Sequence, residues 1–257
     1  MKKSPKNREN SSFEDSAKWY DSIVGSTGHL YHRSVIFPKL KSYIEEKKYS
    51  SILDLACGQG AFCQTLPRTL SYTGIDLSPS LIKSASQRHP YHQWHIADVT
   101  KSLPIQGTFD CVLCILALQN IADPAAVFVQ AKKYLSPQGS FIIVLNHPCF
   151  RIPRQSSWAI AENGLQYRRI DRYATPMEIP IFTHPSKKEE STQTVSFHHP
   201  LSSFSQFAYK AGLSIHLLEE WHSPLKSEGK FRKRENRARE EFPLFCTLYL
   251  SSIANSL

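Results

Sequence analysis

Between residues 50 and 146 the chain alternates short apolar runs with segments that begin as helices begin, and that rhythm confines it to a parallel sheet with crossover helices. "SSILDLA" reads as a first strand, "YTGID" as a second, "HQWHIA" as a third and "FDCVLCILAL" as a fourth. "SFIIVLN" reads as a fifth, introduced by a turn at "SPQG". "AFCQTLPR" is expected to be the helix after the first strand. "SPSLIKSASQRH" carries Ser78 as N-cap with Pro79 at the first helical position, and "DPAAVFVQAKKYL" repeats the device with Asp123 and Pro124. The product is an α/β domain with helices on both faces of its sheet.

The flanks divide the rest of the 257 residues. Residues 1–12 form a basic polar tail, expected to be disordered. No apolar stretch follows to make a secretory signal, which points to the cytoplasm. Residues 13–49 make an N-terminal helical cap, in which Ile36, Leu40, Tyr43 and Ile44 share a stripe over 31–47 and Pro38 sits in an early turn. Residues 50–146 are the core. Residues 147–200 are rich in proline, aromatics and arginine without a clear period, and read as an insertion above one edge of the sheet. Residues 201–257 close the domain with a helix, "LSSFSQFAYKAG", and two strands, "LSIHLLEEW" and "PLFCTLYLSSI". No apolar run approaches the roughly 20 residues of a membrane span. Six cysteines are scattered through apolar segments, and Cys111 and Cys114 within one strand point to opposite faces, as buried hydrophobes rather than a redox or metal pair. The net charge of +9 raises nucleic acid as a partner, but "KSEGKFRKRENRAREE" mixes both signs, as solvated helix faces do.

The loop after the first strand, "DLACGQGAFC", narrows the ligand. A dinucleotide fingerprint asks for a third glycine, and Cys63 stands in its place. Asp54, four residues before Gly58, would repel a pyrophosphate but suits a cationic group such as an amino-acid ammonium. Asp76 ends the second strand, where an acid can accept both hydroxyls of a ribose. Asp98 ends the third, within reach of a base edge. An amino-acid end, a ribose and a base in that order describe S-adenosylmethionine. The other reading of Asp54 and Asp76 is that each caps the segment that follows.

"ILDLACGQGAF", "YTGIDLSPSLI", "HIADVTKSLP", "FDCVLCILALQNIADP" and "YLSPQGSFIIVL" resemble, in order and spacing, the successive motifs of class I S-adenosylmethionine-dependent methyltransferases. Within that family they are most similar to the ubiquinone/menaquinone C-methyltransferases and their small-molecule relatives. The resemblance implies a Rossmann-like, seven-stranded, mostly parallel sheet with its last strand antiparallel. It implies that Asp54, Gly58, Gln59 and Gly60 hold the methionine part and that Asp76 binds the ribose. Leu77 would lie against the adenine, Ala97, Asp98 and Val99 would line the base, and Ile115 would face the sulfonium. The insertion opened by "NHPCFRIPRQSSW" departs from the short loop of the quinone enzymes. A Trp-Tyr-Asp stretch in a covering segment is shared with related enzymes, so Trp19, Tyr20 and Tyr31 are candidates to close over the site.

Methyl transfer from a sulfonium asks for alignment and exclusion of water, plus a base where the nucleophile carries a proton. It requires no metal, and no metal-spaced His/Cys set stands out. His147, directly after the fifth strand, has two roles open to it: a base near neutral pH, or a hydrogen-bonding partner of the turn before Pro148. Arg151, Arg154 and Trp158 suit an anionic or aromatic substrate, with Arg168, Arg169, Arg172 and Tyr173 as alternatives. His198 and His199 precede the closing helix, where packing or capping is favoured. Nucleic-acid base methylation is not supported, because "ILALQN" after the fourth strand lacks the prolines and aromatic of the adenine N-methyltransferases. The expectation is a methyltransferase acting on a small molecule, quinone-like or aromatic. The alternatives are an RNA methyltransferase and a cofactor-binding regulator or assembly factor without turnover.

Overall fold

The computed structural model describes residues 28–182 and 193–253, together with Glu14 and Gly25. The tail over 1–12, Trp19 and Tyr20 lie outside the described residues, and so does the covering role expected of that stretch.

The helix expected over 31–47 forms with a different first turn. The chain makes a wide π turn over His32–Ile36, closed by the Phe37 amide donating to the His32 carbonyl. It then continues as α1, Phe37–Lys47, with Pro38 in the first turn. Pro38 has no N–H to donate, so the hydrogen-bond ladder changes register at the residue least able to extend it backwards. Ile36, Leu40 and Ile44 are buried, as the stripe predicts.

β1, Ser51–Leu55, leads into the glycine loop. The helix expected at "AFCQTLPR" is not there: the segment passes through turns and one 3-10 turn at Cys63–Thr65. Leu66 is extended, with φ −101° and ψ 154°, as a residue before proline is pushed to be, and Pro67 cannot donate a helical bond. β2 (Ser71–Asp76), α2 (Pro79–Arg88), β3 (Gln93–Ile96), β4 (Phe109–Ile115), α3 (Pro124–Tyr134) and β5 (Leu135–Asn146) follow in the expected order. Both expected caps are made: Ser78 Oγ accepts from the Leu81 amide at 3.2 Å, and Asp123 Oδ1 from the Ala126 amide at 3.2 Å. "SPQG" lies inside β5 rather than before it. Leu135 already pairs with Phe109, and the register then shifts before Cys111 meets Ser140, so the surplus residues bulge out of the ladder.

The stretch from 147 to 200 is more regular than expected. It holds two antiparallel hairpins, β6 (Ser156–Ile160) with β7 (Gln166–Ile170), and β8 (Met177–Phe182) with β9 (Gln193–His198). Trp158, Ile160, Tyr167 and Ile170 stay exposed, so no buried face imposes the apolar alternation by which a strand is read. α4 (Leu201–Lys210), β10 (Leu213–Trp221), α5 (Arg232–Glu241) and β11 (Phe245–Ser252) complete the chain. The mixed-charge run is α5, buried only at Ala238.

The main sheet has seven strands in the order β10-β11-β5-β4-β1-β2-β3, with β11 antiparallel to both neighbours. Alternate residues of each strand feed two cores. Leu53, Val112, Cys114, Phe141 and Ile143 pack with α3 and α4 on one face, and Ile52, Cys111, Leu113, Ile142 and Val144 pack with α1 on the other. Cys111 and Cys114 therefore point to opposite faces, both fully buried, and all six cysteines are free. Among the described residues no helix is long and apolar enough to cross a membrane. Connections leave β1 for β2 and β3 on one side and for β4 and β5 on the other, so the crevice of this sheet opens beyond the carboxyl ends of β1 and β4.

Candidate functional site

The glycine loop turns sharply off the end of β1. Ala56 (φ 58°), Gly58 (φ 58°) and Gly60 (φ 72°) all lie in the left-handed region, which costs a non-glycine residue such as Ala56 about 1–2 kcal/mol. Gly60 is also held by space: a Cβ there would meet the Trp94 ring at 2.3 Å. The loop is tied to β2 by Asp76, whose Oδ2 accepts from the Gly58 amide at 2.8 Å and whose Oδ1 accepts from the Ser78 amide at 2.9 Å. Asp76 is thus a capping group for loop and helix, yet each carboxylate oxygen has a second lone pair for a ribose hydroxyl. Burial raises its pKa, against the pull of those amides.

Beyond β1 and β4 lies a cavity lined by Asp54, Ala56, Cys57, Gln59, Phe62, Ile115 and, from the N-terminal side, His32 and Phe37. Asp54 is buried, with Oδ2 taking the Tyr72 hydroxyl and Oδ1 without a partner among the described residues. Burial is the main cause that pushes its pKa up to about 7, with the Asp76 charge adding to it and Tyr72 opposing. Gln59 donates from Nε2 to the Gly25 carbonyl at 2.9 Å, which leaves its Oε1 buried and unpartnered among the described residues. Two acceptor oxygens held out of water at one cavity ask for a donor, and an ammonium answers both. S-adenosylmethionine fits that set: Asp54 and Gln59 would hold its amino-acid end, and Asp76 its ribose.

His32 is a residue the sequence reading missed. Its ring stacks on Phe37 at 5.2 Å and its Nδ1 accepts from the His29 amide at 3.1 Å. Burial, with His29 beside it, brings its pKa down to about 4, so the imidazole facing the cavity is neutral. In "YHRSVIF" the apolar stripe is the dominant signal, and a lone histidine beside it carries none of its own.

The base side is arranged by backbone. Ala97 donates to the Asp76 carbonyl at 3.0 Å, joining the ends of β2 and β3 beside Leu77. Asp98 Oδ1 accepts from the Thr100 amide and hydroxyl at 2.9 and 2.7 Å, and Val99 is buried in the core beneath. Glu14 bonds to the Ser78 and Ser80 hydroxyls at the head of α2, which brings a point of the N-terminal segment next to Asp76.

A second pocket opens one strand over, beyond β4 and β5, between the sheet and the insertion. Gln119, Asn146, His147, Arg151 and His198 are among its walls. His147 is 2% exposed and both ring nitrogens are engaged. Nε2 meets Glu220 Oε1 at 2.6 Å, and Nδ1 accepts from the Cys149 and Phe150 amides at 3.2 and 3.3 Å. Two N–H donors at Nδ1 put the proton on Nε2, toward Glu220. Burial lowers the His147 pKa, partly offset by Glu220.

The other candidates divide. Arg151 reaches the second pocket. Arg168 donates to the Phe150 carbonyl and Ser156 Oγ at 2.8 and 2.7 Å, and its guanidinium lies 5.1 Å from the Trp158 ring centre. Trp158 in turn meets Phe242 edge-on at 5.3 Å. Tyr173 is at the head of α4, its hydroxyl accepting the Leu201 amide at 2.9 Å, and does not line either pocket. Tyr31 packs against Phe245, its hydroxyl 3.5 Å from Ser223 Oγ. His198 bonds the Tyr173 carbonyl at 2.7 Å and His199 packs on Phe204 and Phe207, the packing role expected.

Residues 53–143 match a family described as a methyltransferase domain. The chain is 31% identical over 125 residues to the ubiquinone biosynthesis O-methyltransferase of Xanthomonas campestris pv. campestris, covering 45% of this chain and 49% of that one. It is 32% identical over 144 residues to a probable phthiotriol/phenolphthiotriol dimycocerosates methyltransferase 2 of Mycobacterium ulcerans, covering 54% of this chain and 52% of that one. The chain thus spans about half the length of these two relatives. An S-adenosylmethionine dependent methyltransferase from Mesorhizobium loti superposes with a TM-score of 0.61 at 28% identity, covering 78% of this chain and 90% of that one. With the strand order, the loop tied to Asp76 and the cavity at Asp54 beside them, residues 53–143 form a methyltransferase domain similar to those of the class I S-adenosylmethionine-dependent methyltransferases, with S-adenosylmethionine as the cofactor.

Proposed function

We propose that the protein transfers a methyl group from S-adenosylmethionine to a small-molecule acceptor bound between the sheet and the 147–200 insertion. The observation that carries this reading is the pairing of two pockets at the ends of adjacent strands. One holds the unpartnered acceptors of Asp54 and Gln59 beyond β1 and β4, and the other opens beyond β4 and β5. The cofactor supplies a methyl group on a sulfonium, with a leaving group already neutral. The chain's own part is to bind and orient: Asp54 and Gln59 fix the amino-acid end, Asp76 the ribose, and Ile115 stands where the cavity meets the strand next to the second pocket. Leu77, Ala97, Asp98 and Val99 line the base. His147 serves as a positioning residue, holding the turn that carries Arg151, since the Arg151 amide also donates to the His147 carbonyl at 2.8 Å.

The names of the two sequence relatives favour a small acceptor, quinone-like or aromatic, while the double-hairpin insertion favours one different from theirs. Incubation with methyl-labelled cofactor in a cell extract, followed by separation into small-molecule, RNA and protein fractions, tests it. Label is expected in the small-molecule fraction. Label in RNA overturns the acceptor class, and cofactor binding without any turnover favours a regulator.

A further inference from the structure

The second pocket is lined by both a guanidinium and an unanswered acceptor. Arg151 is half-buried on its wall, and no carboxylate among the described residues pairs with it. Glu220, the acid on this side of β10, is already bonded to His147 Nε2 at 2.6 Å. Two more guanidiniums act on the same region. Arg168 is pinned by the Phe150 carbonyl and Ser156. Arg239, on α5, is pinned by Ser227 Oγ at 3.0 Å and keeps a buried Nε without a partner among the described residues. Burial lowers the Arg151 pKa, with Tyr31 opposing and Arg239 adding to it, and burial followed by Arg151 lowers that of Arg168. Partly buried guanidiniums with no carboxylate paired to them among the described residues make this side of the pocket attractive to an anion.

Gln119 supplies the second constraint. Its Nε2 donates to the Leu116 carbonyl at 2.7 Å, and its Oε1 is buried without a partner among the described residues. Flipping the amide would set two oxygens against each other, so the orientation is fixed by the backbone. A buried amide oxygen needs a donor. Gln119 lies four residues past Ile115, which lines the cofactor cavity.

We propose that the acceptor is a small oxyanion that Arg151 binds through its carboxylate or phosphate, and that a hydroxyl or amine of the same molecule donates to Gln119 Oε1. This rests on the methyltransferase reading and adds the substrate class to it.

The test uses the full chain saturated with S-adenosylhomocysteine and a set of probes titrated by calorimetry. The probes are benzoate, the three hydroxybenzoates, inorganic phosphate, phenol and benzylamine. The oxyanions are expected to bind, at least one hydroxybenzoate more tightly than benzoate, and phenol and benzylamine not measurably. Arg151→Gln should weaken every oxyanion by about tenfold or more, the scale of a lost charge-assisted hydrogen bond, with S-adenosylhomocysteine affinity unchanged. Arg151→Lys, which keeps the charge if the glutamine variant misfolds, should retain part of the binding. Gln119→Leu should leave benzoate alone and erase the hydroxybenzoate advantage. Phenol binding as well as the hydroxybenzoates, an Arg151→Gln variant that binds oxyanions normally, or no oxyanion binding at all overturns the proposal. Equal affinity of the wild type for benzoate and all three hydroxybenzoates overturns the part given to Gln119. Failure of the wild type to bind S-adenosylhomocysteine would instead strike the methyltransferase reading itself.

Discussion

Asp54 holds one oxygen on Tyr72 and turns the other into the cavity, and the cost of burying that charge sets how the protein responds to pH. Its folded pKa, about 7, stands above the ordinary 3.8. A carboxyl raised in this way is protonated in the empty protein across the interval, so its ionisation costs stability increasingly from about pH 4 to 7. An arriving ammonium needs the ionised form, and below pH 7 binding must first expel a proton. Affinity for S-adenosylhomocysteine is therefore expected to rise by about tenfold per pH unit up to pH 7 and to level off above it. Asp54→Asn should flatten that profile and weaken binding at pH 8 by about tenfold or more. Calorimetry at pH 5.5, 7 and 8.5 reads both, and a wild-type profile already flat from pH 5.5 would remove Asp54 from the ammonium. His147 makes the opposite kind of prediction. A general base would cost about 10²-fold or more in turnover when replaced. His147→Gln, whose amide oxygen can still accept from the turn, is expected to lose less than about tenfold in turnover and to unfold at lower temperature. A hundredfold loss in a variant of unchanged stability would restore the catalytic role.

The hairpin of β6 and β7 is the element that sequence patterning overlooked, and its packing says what it does. Trp158 meets Phe242 on the loop after α5, Phe150 meets the same ring at 5.4 Å, and Arg168 ties β7 back to the Phe150 carbonyl. The hairpin thus braces the 147–151 turn from outside, and none of its residues lines the cavity at Asp54. Ser156 and Ile170 face each other in register, so residues 157–169 can be replaced by an Asn-Gly turn without stretching the chain. That deletion is expected to leave S-adenosylhomocysteine affinity within about twofold, because the cofactor groups belong to the sheet. Turnover should collapse as the turn carrying Arg151 loses its brace. A folded deletion variant with normal turnover would show that the acceptor binds elsewhere.

At the scale of the whole molecule the net charge is +9. α5 mixes basic and acidic residues, and only Ala238 of it is buried. Solvated charges of mixed sign attract a polyanion only through its counterion atmosphere, so RNA binding is expected to be weak at low salt and lost by about 0.15 M. A filter-binding series against salt measures this. Submicromolar binding that survives physiological salt would raise the RNA reading above the small-molecule one.

Much of the fold was legible because its signals are local. Ser78-Pro79 and Asp123-Pro124 start helices through their own side chains and rings, and the short apolar runs specify parallel strands wherever they end up. The failure of the helix at "AFCQTLPR" was also written in the chain, in what Pro67 does to Leu66. The acids at strand ends were legible because a parallel sheet gathers its carboxyl ends at one edge, so Asp54, Asp76 and Asp98 had to be neighbours. Only the tertiary structure decided which polar atoms stay unpaired. Asp54 Oδ1, Gln59 Oε1 and Gln119 Oε1 are ordinary acceptors along the sequence. They are left open to a ligand because distant elements bury them without supplying a donor, just as Glu220, 73 residues away, engages the His147 Nε2 that a base would need free.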